Sequence, residues 1–361
     1  MSVVGFTWRV LAFLSACLGL YLGWLVLSFH LAYDPLADIR AYYDAGVRLN
    51  LGLPLYVQPG GVDAASFYRY PPLLAVLFRP LALLPFRSAA VLWEAAVLVS
   101  LGGAVWLAGV RRWRTWLVFA WLAGPIAWAV MVGQAQVVVT FLLLIASPLA
   151  VALASGLKVF PVFVALFWLG RGDWRSLVRL VAWLMVLAML LFVLEPGGTV
   201  AYVGFLRLDQ VGEVWNLSPY SWSPMVWAGL VVAGGVAVLV GSRSRYGWAM
   251  AVAFSVLINP RLLFYHLSSL FACLGSARTR AATSDVVSES SSIPAPAGGP
   301  GAEGQVLVAS LLGWSRRLPQ FRVFFGHGQR TRTRVGTRIT EANLAATGPR
   351  THRSTPTGRA R

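Results

Sequence analysis

Apolar runs long enough to cross a bilayer recur along this chain, and that feature excludes most of what a polypeptide of 361 residues can otherwise become. Residues 11–30, LAFLSACLGLYLGWLVLSFH, carry no carboxylate, lysine or arginine, and a hydrocarbon core takes about 20 residues of helix. Similar runs occupy about 88–110, 115–131, 176–194 and 224–241. At 58% hydrophobic residues and a mean hydropathy of +0.68, the chain exceeds the roughly 45–50% of soluble domains. The runs are continuous rather than alternating, so they read as helices and not as barrel strands. The expectation is an all-α integral membrane protein of about eight transmembrane helices.

Arginine placement orients these spans. Arg9 precedes the first, which is read as retained rather than cleaved. Arg111-Arg112-Trp113-Arg114 follows the span at 88–110, Arg171 and Arg175 precede that at 176–194, and Arg243 and Arg245 separate 224–241 from 246–258. By the positive-inside rule these clusters and the N-terminus are cytoplasmic, and the polar intervals 31–87 and 195–223 become two loops on the outer face. Leu73–Phe86 is apolar but short and broken by Pro80 and Pro85, which suits an interfacial or re-entrant helix. The interval 137–170 ends at a cytoplasmic cluster and reads as one crossing with a kinked or re-entrant part at Gly156–Pro161, and 262–275 as a last apolar segment.

The net charge of +17 does not point to nucleic acid, because it is divided between two unlike regions. Residues 1–275 hold 17 basic and 9 acidic residues, and 276–361 hold 13 and 4. The first region is a polytopic membrane domain. The second, rich in Ser, Ala, Gly, Pro and Arg, lacks the apolar surface to fold alone and is expected to be a disordered cytoplasmic tail. A polybasic patch on anionic lipid and an altered reading frame are the other two readings of it. Cys17 and Cys273 have no metal-ligand spacing, and the acids form no D-x-D pair, so no metal is expected.

Carboxylates beside a bilayer are costly unless they serve something, and the first loop holds Asp34, Asp38, Asp44 and Asp63. Asp38, Tyr42-Tyr43, Gly52-Leu53-Pro54-Leu55-Tyr56 and Tyr70-Pro71-Pro72 follow one another there. Gly133-Gln134, Gly156-Leu157-Lys158-Val159-Phe160-Pro161, Asn216 with Ser218, and Pro260 to His266 come later. In this order they resemble the glycosyltransferase 87 family, polytopic GT-C enzymes that move mannose or related sugars from a polyprenyl-phosphate carrier. The sequence departs from that pattern at Gln136, where Asn is usual, and in a shortened interval between Gln134 and Lys158.

The resemblance implies transfer of a hexose, mannose foremost, to a lipid-linked or envelope glycan acceptor with inversion. It implies Asp38 as general base and no cofactor beyond the polyprenyl-phosphate sugar. Donor-phosphate or substrate contacts would fall to Lys158, His266, Arg261, Tyr43, Tyr70, Gln134 and Asn216. Plainer roles stand beside these: Asp38 as a helix N-cap, Lys158 as a snorkelling lysine, His266 as a packed side chain. Tyr70, Tyr220, Trp215 and Trp222 are candidates for stacking on sugar, or for an interfacial belt. A lipid-linked glycan flippase and an inactive relative are the rival functions.

Overall fold

The computed structural model describes residues 3–33, 35–58, 61, 63–64, 67–206, 211–212 and 214–275. Asp34, Asp209, Glu213 and the basic tail 276–361 lie outside the described residues. Within them the chain forms α-helices, short 3-10 turns and no strand, as the continuous apolar runs require.

The helices are α1 (Val3–Tyr33), α2 (Ala37–Asn50), α3 (Pro72–Leu81), α4 (Phe86–Ala108), α5 (Trp113–Trp121), α6 (Ala123–Met131), α7 (Gln136–Ile145), α8 (Pro148–Leu157), α9 (Ala165–Arg171), α10 (Trp174–Leu194), α11 (Pro196–Phe205), α12 (Pro224–Gly241) and α13 (Gly247–Leu257). Two 3-10 segments, Phe160–Val164 and Phe264–Leu274, complete the core. Four helices are long and apolar enough to cross a membrane: Thr7–Tyr33 of α1, α4, α10 and α12. The pair α5 and α6, bent by 57°, makes a fifth if it is one span. Large apolar side chains stand outward on these helices, Met189 at 72% and Val240 at 80% exposure, as a surface turned to lipid requires.

The expected count of eight crossings is not confirmed. The interval read as a span at 137–170 is cut into short helices, Gln136–Ile145, Pro148–Leu157 and Phe160–Arg171, and those at 246–258 and 262–275 are single helices of 11 residues each, all shorter than the about 20 residues a hydrocarbon core takes. Pro161 lacks the N–H that would continue α8, so that helix stops at Leu157. A second break was not anticipated. Ala146 turns left-handed, and Ser147 caps α8 by accepting from Ala150 N–H, with Pro148 at the first position. A Ser-Pro pair is an ordinary helix start that apolar length alone conceals.

Small residues let the helices approach. Gly19 and Gly23 of α1 lie against Ala120 and Ala123 at the α5–α6 bend, the close backbone packing that small-xxx-small spacing permits between membrane helices. On α2, Ile39, Tyr42, Ala45, Gly46 and Leu49 form the buried stripe, at helical spacing, and it packs against α3 and α4. Tyr42, Phe78 and Trp93 meet edge-on or tilted at the centre, with centroids 4.9–6.0 Å apart.

The start of α2 corrects one expectation. Its cap is Leu36, not Asp38, and Asp38 lies in the first turn. The helix-end N–H groups bond instead to carbonyls at the end of α6: Leu36 N–H to Met131 O at 3.0 Å and Asp38 N–H to Val132 O at 3.1 Å. Backbone saturation at the helix start thereby leaves the Asp38 side chain for other partners.

Candidate functional site: a held carboxylate beside a cationic cavity

The turn between α6 and α7 sets the geometry around Asp38. Gly133 there has φ +68°, and the space a side chain would fill is occupied by Ile39 Cγ1. Its carbonyl accepts from Trp93 Nε1 at 2.8 Å. The turn so pinned delivers Gln134, fully buried, against α2. Gln134 Nε2 donates to Asp38 Oδ2 at 2.9 Å and to the Tyr70 hydroxyl at 3.0 Å. The Tyr70 hydroxyl donates to Asp38 Oδ1 at 3.2 Å, and Tyr42 donates to Gln134 Oε1 at 2.6 Å. Each proton in this network has one direction, since an ionised carboxylate only accepts and a side-chain amide has two donors and one oxygen.

Burial, followed by the nearby Asp38 charge, pushes the Tyr70 phenol up to about 12. It therefore keeps its proton near neutral pH and remains a donor. Gln134 and Tyr70 occupy two of the roughly four lone-pair sites of the Asp38 carboxylate and fix its plane.

Tyr70 also faces a cavity of ≈ 200 Å³ whose wall includes Arg69, Lys158, Arg261 and His266. Lys158 emerges from the end of α8 in extended conformation and does not snorkel. It is 8% exposed, with Nζ 4.8 Å from the ring centre of Tyr265 and 5.2 Å from that of Tyr70. Aromatic faces attract a cation by their quadrupole. Asp38 is within electrostatic reach of it. His266 Nδ1 accepts from Leu263 N–H at 2.9 Å, which assigns the proton of the neutral ring to Nε2. Arg261 pairs with Asp63 at 2.9 Å and donates to Val211 O at 3.0 Å, so it ties the first loop to the second at the rim. The wall also includes the apolar Val159, Phe160, Leu206, Val211 and Leu263 and the polar Asn259.

Of the residues singled out in the sequence, Asp38, Tyr70, Gln134, Lys158, Arg261 and His266 are gathered at this place. Tyr43 and Asn216 are not. Tyr43 donates to Leu84 O at 2.8 Å and packs on Phe86, which turns it away from the Asp38 network. Asn216 is committed to backbone: it donates to Pro260 O at 2.9 Å and accepts from Ser218 N–H at 2.9 Å and Leu262 N–H at 3.0 Å. Trp215 and Trp222 are 78% and 82% exposed, and Tyr220 packs on Trp227. Of the four expected stacking aromatics Tyr70 lines the cavity, together with Phe67, Phe160, Tyr202, Phe205 and Tyr265.

Sequence reasoning missed Arg69 and Tyr42. Arg69 stands immediately before Tyr70-Pro71-Pro72, and Tyr42 is one helical turn from Asp38 on the same face; both signals were there to use. Asn216→Ala is expected to strand two part-buried backbone N–H groups and to cost about 1–3 kcal/mol. The check is faster amide hydrogen exchange confined to residues 214–223 and 260–263. Among the described residues no three His, Cys, Asp or Glu side chains are grouped as metal ligands.

Residues 67–277, more than half of the chain, match the model of glycosyltransferase family 87. The chain belongs to that family. It is similar to two proteins of Mycolicibacterium smegmatis. One is the polyprenol-phosphate-mannose-dependent alpha-(1-2)-phosphatidylinositol pentamannoside mannosyltransferase, 25% identical over 55% of this chain and 58% of that protein. The other is the polyprenol-phosphate-mannose-dependent alpha-(1-2)-phosphatidylinositol mannoside mannosyltransferase, 29% identical over 54% and 51%. The chain thus spans little more than half the length of these curated relatives. No solved structure matches. The family 87 match takes in Tyr70, Gln134, Lys158, Asn216, Arg261 and His266, whereas Asp38 and Tyr42 precede it.

Proposed function

We propose that this chain transfers a hexose, mannose foremost, from a polyprenyl-phosphate sugar to a glycolipid or envelope glycan acceptor, with inversion. The observation that carries the reading is the Asp38 carboxylate, held by Gln134 and by a tyrosine whose ring faces a cavity ringed by Arg69, Lys158, Arg261 and His266. Membership of family 87 and the names of the two relatives support the donor class.

In this mechanism an acceptor hydroxyl gives its proton to Asp38 as its oxygen attacks the anomeric carbon. The bond from that carbon to the phosphate oxygen breaks, and the polyprenyl phosphate leaves with the electron pair. Lys158, Arg69, Arg261 and the His266 Nε2–H balance the charge gained by the leaving phosphate. A single displacement inverts the anomeric centre. No metal is needed, because the cations that neutralise the phosphate are side chains. The protein sits in the cell membrane with the N-terminus cytoplasmic and the two polar loops on the outer face, where arginine placement puts them.

The test is transfer of radiolabelled mannose from polyprenyl-phosphate-mannose to endogenous lipids in membranes expressing the full chain. Labelled glycolipid product above empty-vector membranes is expected. Movement of intact donor across vesicle membranes without product would favour the flippase reading, and neither outcome with several donor sugars would favour an inactive relative.

A further inference from the structure

Behind the wall that Lys158 and His266 present to the large cavity is a smaller one of ≈ 20 Å³, bordered by Gln136, Lys158, Ser255, Asn259, His266 and Ser269. Two of these side chains bring an unsatisfied atom. Lys158 and Gln136 are 8% and 5% exposed, and Lys158 Nζ and Gln136 Oε1 have no hydrogen-bond partner among the described residues. One is a donor and the other an acceptor. An ammonium that meets aromatic faces and a nearby charge but makes no hydrogen bond is costly in such a place.

The proton inventory on the far side orients the amide. Thr140 donates its only hydroxyl proton to Gln136 O at 2.7 Å. The 2.7 Å contact between the Thr140 and Ser269 hydroxyls must then use the Ser269 proton. Ser269 Oγ is left to accept from Gln136 Nε2, at 2.5 Å. The opposite amide orientation would set its NH₂ toward the Lys158 ammonium, donor facing donor. Gln136 Oε1 is therefore the atom left to satisfy the lysine side.

We propose that this cavity is the binding site of one ordered water, which accepts from Lys158 Nζ and donates to Gln136 Oε1, and that Gln136 is thereby a positioning residue for Lys158. Size permits one molecule and excludes anything larger, since a water requires about 10–15 Å³ by this measure and two to four polar partners. Ser255 Oγ, which donates to Val252 O at 2.9 Å, offers a lone pair to the second water proton. The water keeps the lysine hydrated from behind while its other side meets the large cavity. That this charge serves a donor phosphate rests on the proposed function; the water does not.

Two measurements on the full chain in lipid nanodiscs test it, neither needing transferase activity. A cryo-EM map that resolves ordered solvent is expected to show one peak within hydrogen-bond distance of both Lys158 Nζ and Gln136 Oε1. A direct bond between those atoms, or no peak, would overturn the site. Lys158 is the sole lysine of the chain, so amine acetylation followed by mass spectrometry of its peptide reads it alone. Gln136→Met is expected to speed that acetylation about fivefold at about pH 6, where most of the amine still carries its proton, by raising the neutral amine fraction. Gln136→Asn, which keeps an amide oxygen, should restore the slow rate, and Val139→Ala, which loosens the same cavity without touching its polar atoms, should leave it unchanged. An equal rate in Gln136→Met, or equal acceleration in Val139→Ala, would overturn the positioning role.

Discussion

Replacing Asp38 by Asn is expected to lower sugar transfer by about 10²–10⁴-fold, the range that a positioned general base contributes. The fall should appear in kcat and in kcat/KM alike, because the proton is taken only as the new bond forms. Local chemistry works against the amide as well. Gln134 Nε2 and the Tyr70 hydroxyl both donate to this side chain, and an Asn amide can meet only one of them with its oxygen. Asp38→Glu retains the base but carries it along by one methylene, a displacement of order 1 Å that costs about 10² in rate. Labelled-mannose transfer at matched protein level measures both variants. Full activity in Asp38→Asn would remove Asp38 from the mechanism.

Gly133→Ala should have the largest effect on stability, a loss of about 2–5 kcal/mol. Two costs add. A residue other than glycine at φ +68° sacrifices about 1–2 kcal/mol, and forcing a methyl group onto Ile39 in a packed core costs about 1–3 kcal/mol more. Gly172 separates these contributions, for its φ is +69° while nothing lies within 4 Å of its Cβ position. Gly172→Ala should therefore show the backbone cost alone. Thermal unfolding of both variants in one detergent decides it, and equal midpoints would mean that Ile39 yields freely. A shift at Gly133 would also move Gln134, so activity should fall even in the fraction that remains folded.

Much of the site was legible because short sequence patterns carried it. Lys158 drew attention as the sole lysine, in an apolar stretch at a helix break, and the structure gathers it with Tyr70, Arg261 and His266 around one cavity. Gly133-Gln134 was legible as a motif, but its effect was not, since the contact between Gln134 and Asp38 spans 96 residues of sequence. Tyr43 and Tyr42 show the limit clearly. Adjacent residues on a helix point about 100° apart, and only packing against α3, α4 and the α6–α7 turn determined that Tyr42 meets Gln134 while Tyr43 meets Leu84. The loop tryptophans stayed ambiguous for a related reason: the same residue type serves a sugar site or a membrane interface, and Trp215 and Trp222 stand exposed away from the cavity wall.

Composition and hydropathy by themselves determined that this chain is helical and belongs in a membrane, because lipid accepts only a backbone whose hydrogen bonds close internally. They did not determine how many helices cross. That depends on where prolines, Ser147 and left-handed turns cut the apolar intervals, and on whether each piece is covered by protein or by lipid. Only the tertiary structure decided which carboxylate is held and by what. A hydrogen bond between distant segments depends on backbone placement to within a few tenths of an ångström, which a one-dimensional pattern does not encode.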